Sequence, residues 1–312
     1  MSPALRIAVV GLGRIAHDQH LPTLAASTQF ELVAAASPGA TLPGIPVFQH
    51  VDELLESGIP VDAVALCQPP QLRFAAAASA IRAGKHVLLE KPPGATVTEV
   101  EMLAALAARG ATTLFAAWHS RHAPAVVHAR TWLAARRVQS VAIRWQEDVR
   151  FWHGGQQWIW HPGGLGVFDP GINALSIATL LLPEPIRIVE GTLKVPANRS
   201  TPIAAELHMR SAGGVPIHAV FDWRCVGEPV WDIEVKTDAE SVLLSQGGAR
   251  LQIGGRECEL ESEGEYPRLY RRFAELIAGR HIDADVAPLR LVADCFLRCA
   301  SQAIEPFHDH AG

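Results

Sequence analysis

The sequence predicts an α/β protein of two domains, the first built on a parallel sheet and the second on antiparallel strands. The chain has 312 residues, and one domain usually holds about 100–200. Short apolar runs alternate with helical stretches up to about Phe115, as in βαβ units. After Trp118, tryptophan becomes frequent and strand-like stretches alternate apolar and polar residues. We therefore predict domains at residues 1–120 and 121–312.

The first domain contains five predicted strands. They are Arg6–Val10, Glu31–Ala36, Ala63–Cys67, His86–Glu90 and Thr113–Ala117. The alanine-rich stretch Leu72–Ala83 predicts a helix that ends at Gly84, because glycine is the usual residue after a helix C-terminus. The sequence Thr98-Glu99-Val100-Glu101 predicts a capping box that opens the next helix at Thr98.

The second domain contains both predicted strands and predicted helices. The strands are Val141–Trp145, Ile186–Leu193, Ile217–Trp223 and Asp232–Thr237, and the helices are Pro124–Ala135, Gly171–Leu182 and Tyr266–Ala278. A last helix, from Leu289 to about Ala303, can pack on either domain.

Composition excludes several classes of partner. The net charge of −5 gives the protein no electrostatic reason to bind nucleic acid. The longest apolar stretch, Ile172–Leu182, is about half of the roughly 20 residues that a membrane span needs. The N-terminus lacks the basic and apolar regions of an export signal, so we expect a cytoplasmic protein without a membrane partner.

Cysteine and histidine spacing indicates neither disulfides nor a metal site. The five cysteines form no CxxC pair, as expected in a reducing compartment. The pairs His17/His20 and His119/His122 lack the flanking ligands that would complete a tetrahedral site. We therefore expect no bound metal.

The segment Gly11–Ala16 has the pattern GxGxxA, directly after a predicted strand and at the start of a helix. Gly11 permits a tight turn, and Gly13 lets the backbone approach a pyrophosphate. Arg14 and Ile15 belong to the same turn. The segment therefore predicts a dinucleotide site; the alternative is a chance glycine turn.

The choice between NAD and NADP depends on the end of the second strand. An acidic residue there normally binds the adenosine ribose of NAD. Here the strand ends at Ser37, and no Asp or Glu occurs between Leu32 and Val51. Nothing repels a 2′-phosphate, yet no arginine lies beside Ser37 to bind it. We expect the cofactor to be NADP or NAD, and we favour NADP or the use of both over NAD alone.

Two further loops follow predicted strands, Cys67–Pro70 and Glu90–Pro93. Ligands of parallel sheets bind at the carboxyl ends of strands, so both loops should face the dinucleotide. The residues expected to contact it are Cys67, Gln68, Pro69, Glu90 and Lys91. Pro92 restricts the backbone of Lys91 and fixes its direction. Alone, such a lysine is more often a surface charge; at this position we favour a function.

Together these segments resemble the family of glucose–fructose oxidoreductase and inositol dehydrogenase, over essentially the whole chain. The resemblance rests on Val10–Ala16, His20–Pro22, Gly84–Pro92, Gly163–Gly164 and Asp169–Asn173. It implies an N-terminal Rossmann domain and a C-terminal α/β domain with an open, mostly antiparallel sheet, through which we expect a homo-oligomer. It also implies hydride transfer on sugars or polyols.

Within this family the sequence is most similar to the aldose 1-dehydrogenases that act on L-arabinose or D-galactose. That similarity implies oxidation of the C1 hydroxyl to a lactone. Many members carry histidine at the position of Asn173, whose amide cannot exchange a proton. The alternatives are a non-catalytic sugar or nucleotide sensor and an inositol- or polyol-type dehydrogenase; intact Lys91, Asp169 and Asn173 argue against the first, and Asn173 against the second.

The expected catalytic residues are Lys91, Asp169 and Asn173. Asp169 and Asn173 are four residues apart at the predicted start of a helix, so they should lie on one face. Asp169 could instead cap that helix. Whether Lys91 or Asp169 accepts the proton stays open, because a lysine can act as a neutral base or as a cation.

Six of the eight tryptophans lie between Trp118 and Trp160, close to acidic residues and histidine. Flat rings cover the C–H face of a pyranose, and carboxylates accept hydrogen bonds from its hydroxyls. The resemblance favours sugar contacts by Glu147, Trp152, His153 and Trp231, with His119 as a further candidate. The alternative is core packing, which we prefer for Trp132 and Trp145.

Overall fold

The computed structural model describes residues 3–182 and 184–308, except for the side chain of Trp152. Its strands form two separate sheets. The first sheet contains β1 (Leu5–Val10), β2 (Phe30–Ala36), β3 (Val47–Phe48), β4 (Ala63–Leu66), β5 (His86–Glu90) and β6 (Leu114–Ala117). Neighbouring strands are parallel and follow the order β3-β2-β1-β4-β5-β6. This order is that of a Rossmann sheet and confirms the predicted parallel fold.

The second sheet has nine strands. They are β7 (Val138–Gln146), β8 (Ile186–Pro196), β9 (Ala204–Ser211), β10 (Pro216–Asp222), β11 (Val230–Thr237), β12 (Val242–Ser245), β13 (Arg250–Ile253), β14 (Arg256–Glu257) and β15 (Ala300–Ile304). Their order is β14-β13-β12-β11-β7-β10-β9-β8-β15. Two pairs, β7–β10 and β8–β15, are parallel and the others antiparallel, so the predicted mostly antiparallel sheet is confirmed.

The described residues also form α-helices. They are α1 (Leu21–Ala25), α2 (Val51–Glu56), α3 (Pro70–Arg82), α4 (Val97–Gly110), α5 (Pro124–Leu133), α6 (Val149–Trp152), α7 (Phe168–Leu181), α8 (Glu265–Gly279) and α9 (Ala287–Arg298). A π-helical turn, Ala16–His20, leads into α1, and 3-10 turns cover His119–His122, Gln157–Trp160 and Gln246–Gly248. None of the helices in residues 3–182 and 184–308 is long and apolar enough to cross a bilayer.

The chain forms two compact units, and the first contains residues 1–119 together with 264–286. Helix α8 therefore belongs to the first unit, and the prediction that the stretch Tyr266–Ala278 belongs to the second domain is wrong. Its apolar side chains, among them Tyr270 and Phe273, are buried against Val9 of β1 and Phe30 of β2. Sequence position could not reveal this, because an amphipathic helix packs on whichever apolar surface the fold leaves uncovered.

The capping box of α4 lies two residues before the predicted one. Thr96 is the N-cap: its Oγ1 accepts a hydrogen bond from Glu99 N at 3.2 Å, and Glu99 Oε2 accepts one from Thr96 N at 3.3 Å. The spacing Thr-x-x-Glu occurs at Thr96 as well as at Thr98. The helix therefore begins at Val97, and the side chain of Val100 is fully buried.

The second unit contains residues 120–263 and 287–312. Along β10, Ile217, Ala219 and Phe221 are buried on the face that meets α7, where Gly171 leaves room for the Phe221 ring. The last predicted helix, Leu289–Ala303, is shorter than expected. It ends at Arg298, and the following residues form β15, which extends the sheet beside β8.

Candidate functional site

The glycine turn lies at the carboxyl end of β1 and approaches a neighbouring loop closely. Gly11 has φ 90°, and a Cβ added there would lie 2.6 Å from the backbone nitrogen of Gln68. A Cβ added at Gly13 would meet nothing within 4 Å. The turn therefore combines a tight backbone contact with open space over Gly13, which fits the approach of a dinucleotide pyrophosphate.

Strand register places the predicted cofactor residues along one edge of the parallel sheet. Val10 lies opposite Ala36 on one side and Leu66 on the other, and Leu66 lies opposite Leu89. Ser37, Gly11 and Cys67 follow three of these strands, and Glu90 is the last residue of β5. The structure thus brings together the glycine turn and three loops that are distant in sequence.

Individual groups at this edge suit a nucleotide. Ser37 donates its backbone N–H to Phe48 O at 2.9 Å and is half-buried. Gln68 Oε1 is buried and has no hydrogen-bond partner within the described residues, so it can accept one from a ligand. Arg14 is exposed and its Nε lies 3.2 Å from Asp18 Oδ2. Pro69 precedes the first residue of α3.

The carboxylate of Glu90 lies in a buried network beneath Lys91. Its Oε2 accepts the backbone N–H of Lys91 at 2.6 Å, and its Oε1 accepts the Tyr266 hydroxyl at 2.6 Å. His20 Nε2 lies 3.1 Å from the same Oε1, while His20 Nδ1 lies 2.7 Å from the Tyr270 hydroxyl. The network therefore fixes the backbone from which the Lys91 side chain extends.

Charge interactions within this network outweigh the cost of burial. Burial alone would raise the pKa of Glu90, but its hydrogen bond to His20 and the charge of that ring lower it to about 2. Burial lowers the pKa of His20, yet its interactions with Cys67, Tyr270 and Glu90 raise it well above the usual value. Burial raises the pKa of Tyr270 to about 12. These interactions favour the charged forms of Glu90 and His20.

Arg73 connects the two cofactor loops. Its side chain is 2% exposed and donates from Nη1 to the carbonyl oxygens of Glu90 and Pro92. Its Nε donates to Gln68 O at 3.1 Å. The peptide bond between Lys91 and Pro92 is cis. Arg73 thus holds the backbone on both sides of Lys91.

His119 follows β6, the neighbour of β5. Its Nδ1 lies 2.5 Å from Glu265 Oε2, and its ring stacks on Tyr266 at 5.4 Å between centroids. Burial lowers the pKa of His119, but the Glu265 carboxylate outweighs this and raises it. Lys91 is near enough that its charge acts on His119 in the opposite direction. The two predicted residues therefore lie near each other within the first unit.

The second unit holds another cluster, centred on Glu147. This carboxylate is 3% exposed, and its Oε2 accepts the indole N–H of Trp231 at 2.7 Å. Its Oε1 accepts the indole N–H of Trp223 at 3.3 Å and lies 3.2 Å from His153 Nε2. Both oxygens of Glu147 are therefore engaged by side chains of the protein.

The cluster continues through His153 to Asp169. His153 Nδ1 lies 3.6 Å from Asp169 Oδ2, and it is buried without a hydrogen-bond partner in the described part of the chain. Asp169 is 4% exposed and lies in the first turn of α7, whose N-cap is Val167. Asn173 is one turn further along the same helix, as predicted from the four-residue spacing.

The tryptophans divide between core and surface. Trp145 is 5% exposed and stacks on Trp231 at 6.1 Å, in agreement with core packing. Trp132 is half-buried, and the Arg136 guanidinium lies 3.5 Å from its ring centre, so it is not the core residue that we preferred. Trp152 lies in α6, but its side chain is outside the described part of the structure.

Several residues of these clusters were not singled out in the sequence. Arg73, Tyr266 and Tyr270 were missed as site residues, and His20 was considered as a metal ligand and as part of the family resemblance but not as a site residue. The signal that could have found His20 is its place in the segment His20–Pro22. No local signal marks the tyrosines, because Tyr266 is 176 residues from Glu90.

Comparisons with known proteins agree with this geometry. The GFO/IDH/MocA oxidoreductase family, described by an NAD-binding Rossmann fold, matches residues 5–117. A galactose 1-dehydrogenase of Pseudomonas fluorescens is 46% identical over 305 residues, which are 98% of this chain and 99% of that protein. The crystal structure of a D-galactose-1-dehydrogenase protein from Rhizobium etli has a TM-score of 0.95 and 52% identity, with 99% of both chains covered.

A more distant structure shows the fold alone. A 3-ketoreductase from Actinomadura kijaniata in complex with NADP has a TM-score of 0.80 and 20% identity, covering 96% of this chain and 99% of that one. The two-sheet architecture is therefore retained at low sequence identity.

Proposed function

We propose that this chain, which belongs to the GFO/IDH/MocA oxidoreductase family, is an NAD(P)-dependent D-galactose 1-dehydrogenase. One observation carries the proposal: 46% identity to a galactose 1-dehydrogenase over 98% of this chain and 99% of that protein. Of the two sugars expected from the sequence, D-galactose is thereby favoured over L-arabinose.

The cofactor residues proposed are those along the carboxyl edge of the first sheet. They are Gly11, Gly13, Arg14, Ile15, Ser37, Cys67, Gln68, Pro69, Glu90 and Lys91. When bound, the oxidised nicotinamide accepts the hydride that leaves C1 of the sugar. NADP or dual use is favoured because no carboxylate lies at Ser37 to repel a 2′-phosphate.

Lys91 stabilises the oxygen of the C1 hydroxyl as its proton leaves. A positioned cation acts most strongly where negative charge develops in the transition state. The Glu90 network and Arg73 support this role, because they hold the backbone of Lys91 from both sides. Whether the amine also takes the proton depends on its protonation state in the complex with sugar.

Asp169 is the proposed proton acceptor, and His153 is the group that carries the proton onward. The separation of 3.6 Å between His153 Nδ1 and Asp169 Oδ2 supports this relay, since a small shift makes a hydrogen bond. Glu147 orients the ring from its other nitrogen. Asn173 binds a sugar hydroxyl through its amide.

Trp231 covers the apolar face of the sugar, and Glu147 acts on the sugar through Trp231. Glu147 was expected to contact the substrate directly. Its oxygens already accept hydrogen bonds from Trp231 and Trp223, so we assign it the positioning of Trp231 and His153. His119 and Trp152 remain proposed sugar contacts.

We also propose self-association through the second sheet. The face of β9 and β10 that carries His208 and His218 is turned away from α7 and is open to solvent. An open face of a broad sheet is available to the same face of a second copy.

The test is a substrate panel with both cofactors. Purified protein is given D-galactose, L-arabinose, D-glucose or myo-inositol with NAD or NADP, and the absorbance of the reduced nicotinamide is followed. D-Galactose should give the highest kcat/KM and a lactone product. Reduction with myo-inositol alone would favour a polyol dehydrogenase, and no reduction with any sugar would favour a sensor.

A further inference from the structure

Three metal-ligating side chains meet on the second sheet. His218 Nε2 lies 2.9 Å from Glu206 Oε1, and the rings of His208 and His218 stack with centroids 4.8 Å apart. One ligand atom from each residue lies within 4.8 Å of the others. Two imidazoles and a carboxylate are thus collected at one point.

Strand pairing, and not chance side-chain contact, holds this cluster together. His208 of β9 and His218 of β10 are direct partners across an antiparallel pair. Glu206 is two residues before His208 on the same strand, so its side chain lies on the same face. Direct cross-strand neighbours have Cβ atoms about 4.5–5.5 Å apart, which is a suitable spacing for a shared ion.

The cluster lies on the opposite face of the sheet from α7. Ala219, the neighbour of His218, is fully buried, as is Phe221 against Gly171 of α7. Trp231 is in register with Trp145 and Phe221 on that buried face. The histidine cluster is therefore separate from the residues proposed for sugar oxidation.

We propose that Glu206, His208 and His218 bind one divalent transition-metal ion of the zinc class. Imidazole nitrogen and carboxylate oxygen are ligands of Zn²⁺, at about 2.0–2.2 Å. A tetrahedral ion with such bonds requires ligand atoms about 3.4 Å apart, so modest side-chain rotation suffices from the present positions.

Three protein ligands leave one position of a tetrahedral ion for a fourth ligand. His208 and His218 border a shallow depression of about 400 Å³, whose lining also includes Glu190 and Glu234. Glu190 is the direct partner of His208 on β8 and lies on the same face of the sheet. Two neutral imidazoles and an anionic carboxylate partly balance the charge of a divalent cation.

This site differs from the histidine pairs considered in the sequence. The members of each of those pairs are three residues apart in sequence, whereas this cluster requires β9 and β10 to pair. The local signal is Glu206-Leu207-His208, which places two ligand types on one face of a strand.

Metal uptake tests the proposal on the full-length, tag-free protein. EDTA-treated enzyme is titrated with ZnCl₂ by calorimetry and, separately, with Co²⁺, whose visible spectrum reports tetrahedral coordination. The wild type should bind one equivalent more than the double variant His208→Ala/His218→Ala. Glu206→Gln should weaken binding more than about tenfold, because even outer-sphere partners of a metal contribute about 10–100-fold.

The matched control is His50→Ala/His281→Ala, which removes two exposed histidines outside this sheet. It should retain the extra equivalent. Galactose oxidation by the EDTA-treated wild type and the His208/His218 variant should be equal, which separates this site from the proposed activity. Equal zinc uptake by the wild type and the His208/His218 variant would overturn the proposal, as would unchanged affinity in Glu206→Gln.

Since the proposed homo-oligomer uses the same face, sedimentation of each sample is recorded with and without Zn²⁺. Each chain should bind the one additional equivalent of Zn²⁺ in every assembly state observed. Uptake that depends on assembly and persists without His208 and His218 would assign the ion to other ligands.

Discussion

The hydroxyl of Tyr266 donates a 2.6 Å hydrogen bond to Glu90 Oε1, although the residues are 176 positions apart. Glu90 in turn accepts the backbone N–H of Lys91 through its other oxygen. A helix from the C-terminal third of the chain thereby completes the support of a residue proposed for catalysis.

Tyr266→Phe removes that hydrogen bond and keeps the ring. We expect a loss of about 1–3 kcal/mol in unfolding free energy, because a buried carboxylate loses a donor. We also expect a lower kcat with little change in KM for galactose, since the variant acts through the position of Lys91. Denaturant unfolding and steady-state kinetics measure both. Tyr270→Phe, which removes the partner of His20 on the far side from Glu90, should affect kcat less; equal effects would contradict a specific role for Tyr266.

Lowering the pH should lower the free energy of unfolding, because Glu90 becomes protonated. Its pKa is lowered to about 2 from a usual value of 4.5, so the folded state releases this proton more readily than the unfolded chain. The resulting stabilisation is present above about pH 4.5 and is lost as the pH falls towards 2. Unfolding free energies of Glu90→Gln across this range should have a smaller slope than those of the wild type. The control Glu259→Gln, at an exposed position, should keep the wild-type slope. An unchanged slope in Glu90→Gln would show that Glu90 does not cause the loss of stability in acid.

Lys91→Ala should lower kcat by about 10²–10⁴-fold, the usual contribution of a positioned proton-transfer or charge-stabilising group. Dinucleotide affinity, measured by fluorescence titration, should change little. The control is Lys85→Ala, at the opposite end of β5. A wild-type kcat in Lys91→Ala would remove this lysine from the mechanism.

Asp169→Asn should also lower kcat by about 10²–10⁴-fold, because an amide cannot accept the proton. His153→Gln should have a smaller effect, and the double variant should lose less than the product of the two, as expected for residues that act in sequence. His161→Gln, at an exposed position nearby in sequence, is the control. Strictly multiplicative losses would argue against a relay between His153 and Asp169.

Ser37→Asp should shift preference towards NAD. A carboxylate about 4 Å from a 2′-phosphate costs about 4 kcal/mol at an effective dielectric constant of about 20, so the ratio of kcat/KM for NADP to that for NAD should fall at least about tenfold. Thr41→Asp adds the same charge in the same loop and should leave the ratio nearly unchanged. If both variants respond alike, Ser37 is not at the ribose.

The parallel sheet could be predicted because its signals are local. Each strand is a short apolar run; Gly11, Ser37 and Cys67 each follow one directly, and Glu90 ends another. Once the strands are parallel, their carboxyl ends must share an edge. The cofactor residues could therefore be proposed together without knowledge of any long-range contact.

The supporting contacts could not be predicted in this way. The bonds from Trp231 to Glu147 and from Tyr266 to Glu90 join residues 84 and 176 positions apart. Their formation depends on sheet register and on the placement of α8, which no local pattern encodes. For the same reason the sequence indicated Glu147 as a sugar contact and did not reveal that indoles occupy its oxygens.

The placement of α8 has a consequence for biosynthesis. Phe30 and Phe115 pack against Phe273, so the nucleotide-binding unit lacks one wall until the ribosome has translated α8. A truncated polypeptide ending at His119 would expose this aromatic surface to water and to other nascent chains. Expression of that half by itself would require residues 264–286 to be joined on through a linker.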